Sequence, residues 1–191
     1  EYYRNMDLSE EKEIIERAKK DREVFGRLYD EYYSRIFGYV LKRTANLEIS
    51  RDITSETFLK AMKNLWKFHW RNIPFSSWLY RIANNEIANY FRRNKLLVIP
   101  LEKIPDPISV SNPVAEFIEA EERLKNHQDF LKVQKNIALL PVKYQEVIAL
   151  RFLEKKKIKE ICEILGKKEN TIKSLLHRGL EQLRKNFPET L

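Results

Sequence analysis

Glycine is scarce in this chain, with 4 among 191 residues, and no Asn-Gly or Asp-Gly pair marks a hairpin. Period-two alternation is also rare, so a β-rich architecture has little support. One cysteine, Cys162, cannot form an internal disulfide, which excludes a fold stapled in an oxidising compartment and suits a reducing cytoplasm. No apolar run approaches the roughly 18–20 residues of a membrane span. The opening EYYRNMDLSEEKE is too acidic and polar for a signal peptide, so a cytoplasmic protein without a membrane partner is expected. The three histidines, His69, His127 and His177, are far apart; there is no Gly-rich phosphate loop and no His/Cys cluster with metal-ligand spacing. No metal site, cofactor or catalytic residue is therefore expected, and an enzyme acting on nucleic acid has no reactive centre to use.

Basic residues are abundant. Lys and Arg number 36 against 28 Asp and Glu, a net charge of +8 that favours a polyanionic partner. The charge is uneven: residues 1–101 carry +5, residues 102–129 carry −4 and residues 130–191 carry +7. Within the acidic middle, Pro100, Pro105, Pro107 and Pro113 remove backbone donors and disfavour helix before them. The pattern predicts two small all-α domains, 1–96 and 130–191, joined by a Pro-rich acidic linker over 97–129, with a short exposed helix near 114–125.

Helical spacing dominates elsewhere. Phe25, Leu28, Tyr32, Ile36 and Val40 recur every three or four residues, as do Phe58, Met62, Leu65 and Trp66, and each set predicts a buried stripe. Leu79, Ile82, Ala83, Ile87 and Tyr90 make a third, leaving Arg81, Asn84, Asn85, Asn89, Arg92 and Arg93 available on other faces. From Phe75 to Arg93, aromatic, amide and basic side chains interleave, which suits stacking on bases, reading their edges and holding phosphate. The preceding loop, with Phe68, His69, Trp70, Arg71 and Asn72, would capture bases if exposed and would be core if buried. Asp52 and Glu56, one turn apart, could meet a basic partner or form an ordinary surface helix.

After Pro141 comes an apolar helix, then a pair. Ile158, Ile161, Cys162 and Leu165 line the first member, Gly166 can make a left-handed turn, and Ile172, Leu176, Leu180 and Leu183 line the second. This helix-turn-helix pattern would present Glu169, Asn170, Thr171, Lys173, Ser174, His177 and Arg178 to a major groove. Spacing alone leaves open a hairpin that merely packs.

Together these segments resemble the bacterial sigma-70 family of RNA polymerase sigma factors, in particular its extracytoplasmic-function (ECF) group. DITSETFLKAM is similar to the helix that docks on the clamp of core RNA polymerase, and FSSWLYRIANNEIANYFRRN to the segment that melts and reads the minus-ten element. LLPVKYQEVIALRF with IKEICEILGKKENTIKSLLHRGLEQLRK resembles the domain that reads the minus-thirty-five element and sits on the polymerase flap. The resemblance implies polymerase contacts from Asp52, Glu56, Phe58, Leu59 and Met62. It assigns minus-ten DNA, held open as single strand, to Phe68, His69, Trp70, Arg71, Asn72, Asn85, Asn89, Arg92 and Arg93. Duplex minus-thirty-five DNA falls to Asn170, Thr171, Lys173, Ser174, His177 and Arg178. An anti-sigma factor is a further partner that the group implies. Ser55, Leu175, Gly179 and Leu180 depart from the family's usual pattern. The competing expectation is a stand-alone helix-turn-helix regulator that binds duplex DNA without polymerase.

Overall fold

The computed structural model describes residues 7–70, 73–93, 134 and 136–186. Among them every regular element is helical. The linker at 97–129, the short helix expected near 114–125, and Arg71 and Asn72 lie outside the described residues. Helices α1 (Leu8–Ala18), α2 (Phe25–Thr44), α3 (Leu47–Asn64) and α4 (Phe75–Arg93) make the amino-terminal lobe. Helices α5 (Val142–Ile148), α6 (Ile158–Leu165) and α7 (Glu169–Asn186) make the carboxyl-terminal lobe.

The stripe on α2 packs as its spacing predicts, with Phe25, Leu28, Tyr32, Ile36 and Val40 all buried. The helix ends at Ala45, whose φ of 53° is left-handed and whose N–H returns to Leu41 O. Asn46 then starts α3 by accepting the Ile49 N–H at 2.9 Å, which satisfies one of the donors a helix start leaves orphaned. A 3-10 turn, Leu65–Lys67, closes α3. Leu65 stays inside, whereas Trp66, two helical turns after exposed Leu59, faces out at 68% exposure, against the buried stripe expected of it.

Two polar groups inside this lobe set its geometry. Glu11 on α1 accepts from the Tyr32 hydroxyl and, at 3.1 Å, from the Phe75 N–H that opens α4. Desolvation holds its carboxyl above the usual carboxylate range. Asn84, expected on an available face, is instead 2% exposed. Its Oδ1 accepts from Tyr39 Oη at 2.7 Å and from Arg43 Nη1 at 2.9 Å, while its Nδ2 donates to Tyr80 O at 2.9 Å. The amide is inside because two buried donors need an acceptor there.

In the second lobe α5 follows Pro141 and runs into a π-helical turn, Ala149–Leu153. Gly166, at φ 63°, makes the left-handed turn between α6 and α7. The buried seam of α7 runs through Ile172, Leu176 and Gly179 towards the half-buried Leu183, whereas Leu180 points out at 41% exposure. Gly179 explains that rotation: a Cβ there would meet Ile148 Cδ1 at 2.9 Å and Tyr144 Cβ at 3.2 Å, so α7 lies close on α5 only where it has no side chain.

The lobes touch through polar groups. Glu154 receives Lys42 Nζ at 3.0 Å and the Tyr80 hydroxyl at 2.6 Å. Arg43 Nη2 reaches Gln145 Oε1 at 3.3 Å. Gln134 Nε2 donates to the last carbonyls of α2, Leu41 O at 3.1 Å and Lys42 O at 2.8 Å. In the reverse direction, Arg81 of α4 donates to the last carbonyls of α6, Nε to Ile164 O at 3.0 Å and Nη2 to Glu163 O. Each lobe thus caps a helix end of the other.

Candidate nucleic-acid interface

Three surfaces carry the residues singled out from the sequence. On α3 the outward stripe runs Asp52, Glu56, Leu59, and the same spacing continues through Lys63 to Trp66. Leu59 and Trp66 are large apolar side chains left in solvent beside the carboxylates, the mix of anchor and rim found where proteins meet. Glu56 is engaged by Lys60 at 3.3 Å, and Lys60 also holds Glu86 at 2.6 Å. Phe58 does not belong to this face. It is 3% exposed, with its ring 4.8 Å from that of Tyr29 and 6.1 Å from that of Tyr33. Phe58 packs α3 on α2 in place of standing on the face where a contact was expected of it, and Met62 is half-buried beside the core.

On α4, Asn85 is exposed and Asn89 partly so, with Arg92 Nη2 donating to Asn89 Oδ1 at 2.8 Å; Arg92 and Arg93 stand in solvent. Counting back four residues from Asn85 gives Arg81, so Arg81, Asn85, Asn89 and Arg92 form one stripe. The start of that stripe opens on a cleft of about 190 Å³ walled by Lys67, Phe68, His69, Trp78, Arg81 and, from the other lobe, Glu163. Phe68 and Trp78 present rings 5.1 Å apart, and Trp70 is half-buried edge-on to Phe68 at 6.5 Å. His69 is exposed, and its Nδ1 carries a proton to Lys67 O at 2.8 Å. Aromatic faces with a guanidinium and an ammonium at the rim suit a nucleobase and its phosphate. Arg81 is the site residue that the sequence assignment passed over, although its spacing from Asn85 was visible.

The third surface is the outer side of α7. Asn170, Thr171, Lys173, Ser174, His177 and Arg178 are all exposed, as a groove-reading helix requires. Lys173 and Glu169 pair at 2.7 Å, which raises the lysine and lowers the carboxylate relative to their ordinary values. His177 Nε2 lies 3.6 Å from Glu181. Leu175 is partly buried against the core, while Leu180 adds an apolar spot beside the basic surface. Among the described residues no helix is long and apolar enough to cross a membrane.

Comparison with known proteins agrees with this arrangement. Residues 28–96 match the family model for Sigma-70 region 2, and residues 130–183 match that for Sigma-70, region 4. The chain is 31% identical over 185 residues to the ECF RNA polymerase sigma factor SigW of Bacillus subtilis, covering 95% of this chain and 98% of that one. It is 30% identical to the ECF RNA polymerase sigma factor BldN of Streptomyces coelicolor, covering 93% of this chain and 66% of that protein. The fold is similar to that of CnrH in its complex with the cytosolic domain of CnrY, with a TM-score of 0.65 at 17% identity, covering 93% of this chain and 97% of that one. On two regions matched in order, and on a full-length relative above 30% identity, the chain belongs to the sigma-70 family, as an RNA polymerase sigma factor of the ECF group.

Proposed function

We propose that the chain carries core RNA polymerase to promoters by dividing the work among its three surfaces. The α3 stripe of Asp52, Glu56 and Leu59 meets the polymerase clamp, and the second lobe meets the flap. The cleft around Phe68 and His69, with Trp70, Asn85, Asn89, Arg92 and Arg93, holds the unpaired minus-ten strand; α7 reads the minus-thirty-five duplex through Lys173, Ser174, His177 and Arg178. Arg71 and Asn72 complete the loop in this assignment. Domain limits of 1–96 and 130–191 go with it.

The observation that supports the reading most is the presence of two different surfaces, a cleft with aromatic walls and a helix with an exposed polar and basic face, on lobes that match two sigma-70 regions in order. Unstacking a base costs a few kcal/mol, and stacking on an aromatic ring returns about 1–3 kcal/mol, so capture in the cleft holds melted DNA open without chemistry. On this reading the chain makes and breaks no bond, and it works in the cytoplasm beside the polymerase. The RpoE sigma factor of Bartonella quintana has been solved with the anti-sigma factor NepR, with a TM-score of 0.59 to this fold at 17% identity. A restraining partner of that class is part of the proposal.

Reconstitution with core polymerase tests it: the holoenzyme should yield transcripts with defined starts from genomic templates, and uniform initiation with or without the chain would refute the reading. Arg178→Ala should reduce minus-thirty-five-dependent initiation while leaving binding to core polymerase intact.

A further inference from the structure

Glu11 belongs to α1 but acts at the end of the loop that leads through the cleft. It is 1% exposed, and its Oε1 accepts from the Tyr32 hydroxyl of α2 and, at 3.1 Å, from the Phe75 N–H that opens α4. The first turn of α4 has no acidic residue of its own. A helix start leaves N–H donors orphaned and carries partial positive charge, so an acceptor oxygen with negative charge is favoured there. Here it comes from 64 positions earlier in the chain.

For stability alone this is a poor way to cap a helix. Oε2 is buried with no hydrogen-bond partner among the described residues, and desolvation pushes the carboxyl up. Of the charges on α2, Arg35 favours its ionised form and Glu31 opposes it. A Ser, Thr, Asp or Asn at the cap position would satisfy a donor from the surface without burying a carboxylate. A buried polar group that the fold satisfies only in part points to a task other than stability.

Its location supplies that task. The buried Phe75 ring has its centroid 5.8 Å from that of Tyr32, 5.4 Å from that of Phe68 and 5.5 Å from that of Trp78. Phe68 and Trp78 are the aromatic walls of the cleft, and Ile73 and Pro74, just before Phe75, line it too. The loop is thus pinned at both ends, by the Phe68 N–H on Leu65 O at 2.9 Å and by the Phe75 N–H on Glu11. Glu11 stands behind the cleft, one ring removed from its walls and shielded from anything bound there.

Building on the assignment of the cleft to the unpaired strand, we propose that Glu11 is a positioning residue for strand capture. Its carboxylate ties α1 and α2 to the start of α4 and holds Phe75, and through it the Phe68 and Trp78 rings, in the arrangement that accepts a base. Walls set in advance need less ordering when the strand binds. Without the tie only a fraction of molecules has them in place, and the apparent strand affinity falls by that fraction. Helix α1 lies ahead of residues 28–96, so a segment outside the matched Sigma-70 region 2 takes part in DNA capture.

The test uses holoenzyme, the full chain on core polymerase, and a promoter whose start it maps. Fluorescence anisotropy compares two labelled probes: a duplex carrying the minus-thirty-five element alone, and the same duplex extended by the minus-ten element as an unpaired strand. The ratio of their dissociation constants is the advantage the unpaired strand gives. Glu11→Ala leaves the Phe75 N–H and the Tyr32 hydroxyl without their acceptor; a competent fraction cut to about one fifth lowers the advantage about fivefold. Glu11→Gln keeps an acceptor oxygen of the same reach but no charge, and should lower it about twofold. A role in stability alone would weaken both probes by one factor and leave the ratio unchanged, and that result overturns the proposal. If far-UV dichroism shows that Glu11→Ala does not fold, Glu11→Gln decides by the same criterion. A wild type that gains nothing from the unpaired strand overturns the cleft assignment and this inference with it. A wild type that gains, with both variants gaining as much, overturns this inference alone.

Discussion

Replacing Gly179 with Ala sets two known effects against each other at one point. Alanine inside a helix is favoured over glycine by about 1 kcal/mol, so on propensity alone the change should stabilise α7. The added methyl, however, would sit 2.9 Å from Ile148 Cδ1 and 3.2 Å from Tyr144 Cβ. Both neighbours are buried on α5, where overpacking costs about 1–3 kcal/mol. The net expectation is a loss of about 1 kcal/mol, measured by urea unfolding with the slope unchanged. Ile148→Val removes the Cδ1 atom and by itself should cost about 1 kcal/mol. Combined with Gly179→Ala it vacates the space the new methyl needs, so the double variant should be more stable than the sum of the singles by about 1 kcal/mol. If Gly179→Ala stabilises the chain and the two changes simply add, the close approach of α7 to α5 is not what keeps glycine there, and the reasoning fails.

Other substitutions probe other features. Ala45 holds a left-handed φ of 53°, so Ala45→Gly should stabilise by about 0.5–1 kcal/mol in denaturant titration, and no gain would mean the cap carries no strain. Asn84→Ala strips the acceptor from Tyr39 and Arg43, both buried, and should cost about 3 kcal/mol; a loss below about 1 kcal/mol would mean water replaces the amide. Glu11 binds its proton more tightly folded than unfolded, because burial raises its value. Its contribution is therefore complete below the ordinary carboxylate range and is lost as pH rises through the raised value. Wild type should lose stability relative to Glu11→Gln as pH rises from the ordinary carboxylate range through the raised value, and a difference that stays flat with pH would sink the assignment. Trp66→Ala should weaken binding to core polymerase while leaving unfolding stability nearly unchanged, since the indole is mostly in solvent; an unchanged affinity would take Trp66 out of the docking face.

Much of the helical framework could be read from spacing because the core follows helical period with few exceptions. Phe25 through Val40 recur at three and four, and all five are buried. The misses have local causes. Trp66 was grouped with Met62 and Leu65, yet it stands seven residues, two helical turns, after exposed Leu59, and that outward stripe claims it. Leu180 looked like part of the seam because a glycine adds nothing to a hydrophobic pattern, yet Gly179 is the residue that meets α5. Asn84 was misplaced because its partners, Tyr39 and Arg43, come from another helix more than forty positions away. The same reason hid Arg81: its neighbour Asn85 was visible in the sequence, but its acceptors on α6 exist only once the lobes meet. Phe58 was given two roles at once, core stripe and partner contact, and its packing on the rings of Tyr29 and Tyr33 is the first of them.

The placement of the three tryptophans gives the molecule its own optical gauges. Trp66 stands in water on the α3 stripe, whereas Trp70 and Trp78 are half-shielded by the rings that surround the cleft. An indole that passes from water into a protein contact shifts its emission to the blue, and one stacked on a nucleobase loses intensity. Docking on a partner and capture of a strand should therefore register as separable colour and brightness changes in unlabelled protein, with Trp66→Phe silencing the first and sparing the second.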